Sequence, residues 1–124
     1  MKLRSFLTIS AVAGLVYAVG LLLMPAFVAT MYGLGTSASE ILLARLFGGA
    51  LLAVVLIQWL AREFTGATVR PVLVGSLVGE TVGLIVALVG VLAGTMNSFG
   101  WSAVVIYLVF GLGFAYYLFM GAPK

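Results

Sequence analysis

Long apolar runs separated by short polar joints organise the chain. Four runs stand out, Leu3 to Met24, Ile41 to Leu60, Pro71 to Ala93 and Trp101 to Met120. A helix rises about 1.5 Å per residue and a bilayer core is about 30 Å thick, so about 20 apolar residues make one crossing. Each run meets that length. The pattern predicts an all-α membrane protein, a four-transmembrane-helix bundle that forms a single integral membrane domain over residues 1–124.

The joints carry their own signals. The first run stops at Pro25, which lacks an N–H and disfavours helix at the residue before it. Lys2 and Arg4, with Val16-Tyr17-Ala18 behind them, also fit the basic start and weak cleavage site of a signal peptide. The apolar run continues past Ala18, which favours a retained helix. Pro25 to Gly35 is too short to span. Proline at its start and Gly33 or Gly35 at its end predict a short interfacial helix, Ala26 to Tyr32, with Phe27 and Met31 dipped into the membrane. Ser37-Ala38-Ser39-Glu40 is a capping-box pattern ahead of the second span. Asn97 or Ser98 is the expected cap of the fourth. Tyr32, Trp59, Trp101, Tyr116 and Tyr117 fall near span ends, where aromatic rings anchor at headgroup level.

Composition narrows the chemistry. Of the 124 residues, 65% are hydrophobic and 7% are charged, whereas a soluble domain carries roughly 25% charged residues. Cys, His and Asp are all missing from the sequence. Their absence removes the usual metal ligands, disulfides and nucleophile–base constellations, so no metal, no cofactor and no catalytic residues are expected. The chain is not expected to be an enzyme. The net charge of +3 does not suggest nucleic acid, because the cations flank apolar spans and form no patch. The expected partner is the lipid bilayer.

Charge also sets a topology. Lys2 and Arg4 precede the first span, Arg62 and Arg70 join the second to the third, and Lys124 follows the fourth. The joints on the opposite side, Pro25 to Ser39 and Gly94 to Gly100, contain neither Lys nor Arg. The positive-inside rule then places both termini in the cytoplasm.

Lipid tails are as apolar as leucine, so helices must hold together through close backbone approach and polar contacts. Gly75, Gly79, Gly83 and Ala87 recur every four residues in the third span and predict a smooth packing ridge. Gly48 and Gly49 offer the same on the second span, Ala11, Gly14 and Ala18 on the first, and Gly111 and Ala115 on the fourth. Such faces serve the bundle itself, a homodimer, or contact with a larger membrane complex.

Two ionisable residues lie inside spans, Arg45 and Glu80. Each costs on the order of 2.5–3.5 kcal/mol at a helix centre, and such residues mark a functional site by default. Glu80 is near the midplane and borders Ser76 and Gly83. It reads either as a proton, cation or ligand site, or as a neutral acid hydrogen-bonded to a neighbouring helix. Arg45 is about one turn inside the second span, and its side chain leans toward the outer surface. It either snorkels to that surface or faces inward toward an anionic group. In a simple hairpin of spans two and three, Arg45 and Glu80 lean apart, which disfavours a direct salt bridge. A polar cavity is the more specific expectation, with Arg45 at its mouth, Glu80 at its floor, and Tyr17 and Tyr107 in its walls.

Met24-Pro25, Tyr32-Gly33-Leu34, Ala44-Arg45-Leu46-Phe47-Gly48-Gly49-Ala50-Leu51-Leu52 and Trp59-Leu60-Ala61-Arg62 form a pattern that resembles small bacterial four-helix membrane proteins, and more loosely the DoxX-like group. The resemblance covers about a third of the chain. It implies a four-helix bundle with an Arg-Leu-x-Gly-Gly segment in the second span, here Arg45 to Gly49, and little chemistry, because DoxX-like proteins are mostly known as accessory subunits of membrane redox assemblies or have no assigned role; the expected location is the cell (inner) membrane. Glu80 has no counterpart in that pattern. Two functions follow as expectations, an accessory or structural subunit of a membrane complex, and a small-molecule or proton-coupled carrier built on Glu80 and Arg45.

Overall fold

The computed structural model describes residues 1–121, so Pro123 and Lys124 lie outside the described residues. Helix α1 spans Leu3–Leu23, α2 Pro25–Met31, α3 Ala38–Leu60, α4 Arg70–Leu92 and α5 Gly100–Phe119. All but α2 are long and apolar enough to cross a membrane. The fold is an all-α four-helix bundle.

Local chemistry explains each boundary. Met24 leaves helical geometry, with φ −134° and ψ 53°, because Pro25 follows it. Pro25 then opens α2 as its first residue. Just past α2, Gly33 adopts φ +72°, a left-handed conformation that glycine takes at little cost. The capping box forms in full, with Ser37 Oγ accepting from Glu40 N at 3.3 Å and Glu40 Oε2 accepting from Ser37 N at 2.7 Å. It starts α3 at Ala38 rather than Ile41, because this first turn is polar and hydropathy alone passes over it. Two short 3₁₀ turns, Ala61–Glu63 and Gly66–Thr68, make the joint to α4.

Asn97 does not simply cap α5. Its Oδ1 accepts from Phe99 N, while its Nδ2 donates to Met31 O, both at 3.0 Å. Its own N–H donates to Tyr32 O at 2.9 Å. One side chain thus ties the α4–α5 turn to the end of α2.

The helices pair by sequence order. Helices α1 and α3 pack along their length, as do α4 and α5, while α3 meets α4 and α1 meets α5 only sparingly. A Cβ on Gly14 would lie 2.6 Å from Val55 Cγ2, and one on Gly48 would lie 2.9 Å from Leu21 Cβ, so both glycines are needed for α1 and α3 to approach. Gly83 does the same for α5, because a side chain there would collide with the Tyr107 ring.

The expected glycine ridge of α4 is divided. Gly83 faces Tyr107 and Ala87 is buried, but Gly75 and Gly79 have nothing within 4 Å of a Cβ position, and neither does Gly49 on α3. With 3.6 residues per turn, each four-residue step advances about 40°, so the row winds off the packed face.

The end of the bundle that carries Met1 and the end of α5, here called the base, holds the main apolar core. Phe6, Leu7, Ala61, Val69, Leu73, Phe114, Tyr117 and Leu118 pack there. The Phe6 ring meets Phe114 edge-on at 4.9 Å between centroids and fills the hollow at Gly113. Tyr117 donates to the Met1 carbonyl. Arg4 and Glu63 form an exposed ion pair at 3.0 Å. Tyr32 and Tyr117, expected as headgroup anchors, are instead buried. Trp59, Trp101 and Tyr116 remain exposed along the bundle surface.

Candidate functional site

Above the base the interior changes character. Ser10 and Gln58 are the buried polar side chains among the described residues, at 7% and 3% exposure. Ser10 Oγ donates to Gln58 Oε1 at 2.7 Å, and Gln58 Nε2 donates to Ser76 Oγ at 3.1 Å. One amide thereby links α1, α3 and α4. Gln58 sits near the base end of α3, and its side chain leans toward its helix start, which is upward into the bundle. With no water in a bilayer core, the amide must find its partners inside the protein.

One helical turn beyond Ser76 stands Glu80, ten residues or about 15 Å along α4 from the base. It is half-buried between α4 and α5, and its Cβ lies 3.5 Å from where a Gly111 Cβ would be. The missing side chain at Gly111 leaves the carboxyl room. Among the described residues, no hydrogen-bond donor and no cation engages this carboxyl.

A second hydrogen-bonded group lies further up. Tyr17 Oη and Tyr32 Oη are 3.0 Å apart. The Tyr107 ring of α5 lies against Gly83, one turn beyond Glu80 on α4. Tyr32 is held in turn by a tilted ring contact with Phe99, with centroids 5.0 Å apart. Glu80 therefore occupies the stretch between a serine–glutamine–serine tie below and a tyrosine pair above.

The structure groups Glu80, Ser76, Tyr17 and Tyr107 along one interior line and leaves Arg45 out. Arg45 is exposed, and its Nε donates to Leu22 O at 3.4 Å. Leu22 is in the last turn of α1, where carbonyls have no partner within the helix. The cavity expected between Arg45 and Glu80 is thus not assembled, because Pro25 ends α1 beside Arg45 and offers it a free carbonyl. Sequence reading also passed over Gln58 and Ser10. The available signal was an amide inside an apolar span, a residue type that bonds across helices in membranes.

The chemistry on offer is narrow. The described residues contain no group of three His, Cys, Asp or Glu side chains that could hold a metal ion. What the line provides is a carboxyl that can take up and release a proton, with hydroxyl and amide groups on either side. Compared with protein-family models, curated proteins and solved structures, the chain matches none. The site is read from its own chemistry.

Proposed function

We propose that this protein is a small multi-pass carrier of the cell (inner) membrane that moves protons, with Glu80 as the group that takes them up and releases them. The base, with Lys2, Arg4, Arg62 and Arg70, faces the cytoplasm under the positive-inside rule. The observation that carries the reading is the unengaged Glu80 carboxyl. An intramembrane acid kept only for architecture needs a partner on another helix, and the amide at Gln58 has two such partners while Glu80 has none among the described residues. A group left free in the interior is suited to exchange.

Proton movement into vesicles with an imposed pH gradient, read by a trapped pH dye, tests this. The parent protein is expected to dissipate the gradient, Glu80→Gln to lose most of that activity, and Glu80→Asp to keep part of it. Parent-like rates in an assembled Glu80→Gln variant, or a parent that leaves the gradient intact, would overturn the proposal.

The second reading, an accessory subunit, is favoured by the open glycines. Gly49, Gly75 and Gly79 offer backbone for close approach that the chain itself does not use. Under that reading Gly79→Leu leaves the isolated bundle as stable as the parent but abolishes co-purification of a partner or a second copy. Under the carrier reading the same variant is silent in both measurements.

A further inference from the structure

We infer that the groove between α1 and α3 seats one acyl chain of an anionic phospholipid, whose phosphate rests on Arg62. The groove has a volume of about 340 Å³ and is lined by Ala11, Val12, Leu15, Leu52, Val55, Leu56 and Trp59. Ala11 and Val55 form a buried floor, while the larger side chains stand as exposed rims. Trp59 lies in the last turn of α3 and Leu52 is seven residues above it, so the groove runs about 10 Å from the base toward the midplane. That is the path of a lipid chain in the leaflet facing the base, which is about 15 Å deep.

A cation is fixed at the mouth. The Arg62 guanidinium stands 3.5 Å from the centroid of the Trp59 ring, and its Nε donates to Trp59 O at 2.8 Å. The remaining N–H groups of its fork have no hydrogen-bond partner among the described residues and suit a phosphate. Glu63, the adjacent acid, is taken by Arg4 and does not neutralise Arg62. Among the described residues, Lys2, Arg4, Arg62 and Arg70 face Glu63 as the one acid at this end, so the surrounding field favours an anionic headgroup over a zwitterionic one. Holding the guanidinium against the indole in advance also removes part of the ordering cost of binding.

Native mass spectrometry of the full-length protein in mild detergent tests this, with phosphatidylglycerol, phosphatidylcholine or glycerol 3-phosphate added. The parent is expected to retain one phosphatidylglycerol about tenfold better than phosphatidylcholine, and no glycerol 3-phosphate. Arg62→Gln is expected to lose that preference, while Arg70→Gln, a cation at the same end but off the groove, keeps it. Val12→Trp fills the groove from an exposed rim without touching Arg62, and is expected to lose retention as well. It carries the test should Arg62→Gln fail to assemble. Equal retention of the two lipids, equal losses in Arg62→Gln and Arg70→Gln, retention unchanged by Val12→Trp, or binding of glycerol 3-phosphate alone would each overturn the inference.

Discussion

At the base, Phe6 fits the hollow at Gly113 and meets Phe114 edge-on, and the one hydroxyl in the cluster, on Tyr117, is taken up by the Met1 carbonyl. At the waist above it, Ser10, Gln58 and Ser76 join three helices by hydrogen bonds, and Glu80 follows one turn later. The two regions use the same helices and different physics. Apolar contact confers little advantage over lipid, so the base relies on close packing of rings against small residues. The waist relies on polar groups that lipid cannot satisfy. Packing of the first kind leaves nothing over. Hydrogen bonding of the second kind either closes completely, as at Gln58, or leaves a free group, as at Glu80. The contrast sets a tightly packed end below against an interior with a free carboxyl above.

The contrast can be broken by ranking substitutions. Phe114 is fully buried, and Phe114→Ala is expected to cost about 3 kcal/mol through the cavity it leaves. Reversible unfolding in mixed micelles, driven by a denaturing detergent, would measure it. Gln58→Leu removes two bonds and strands two hydroxyls, which is expected to cost about 1–2 kcal/mol in the same assay, since a single bond between membrane helices averages about 0.6 kcal/mol. A larger loss at Gln58 than at Phe114 would make the waist the stabilising region and reverse the comparison. Glu63→Gln breaks an ion pair whose side chains are 60% and 59% exposed. It is expected to leave the unfolding midpoint where it was, at low salt and high salt alike, because water and long side chains dilute such pairs.

Much of the fold was legible in the sequence because lipid imposes a simple rule of length. The spans, the proline break after Met24 and the capping box at Ser37 and Glu40 all rest on local chemistry that needs no partner. The choice of partner was not legible. Every span is apolar on all sides, so nothing in hydropathy says that α3 pairs with α1 rather than α4. The same blindness affected Gly75 and Gly79, since a glycine that packs and one that faces lipid look alike in a sequence. At the site, Glu80 was conspicuous as a charge, and Ser76 followed from helical spacing. Gln58 escaped because it carries no charge, although its bonds to Ser10 and Ser76 set the floor of the site. Arg45 was conspicuous for the same reason as Glu80 but completes the end of α1 at Leu22 instead.

Pairing between successive spans bears on how the protein is made. Helix α3 completes its contacts with α1 before any residue of α4 is needed, and Arg45 closes the α1 terminus within that first pair. A ribosome-bound intermediate that stops after Glu63 therefore already holds one finished hairpin. The second pair has only to dock against it through Gln58, Asn97 and the base cluster. Insertion can proceed in two steps, with the interior line around Glu80 assembled at the last of them.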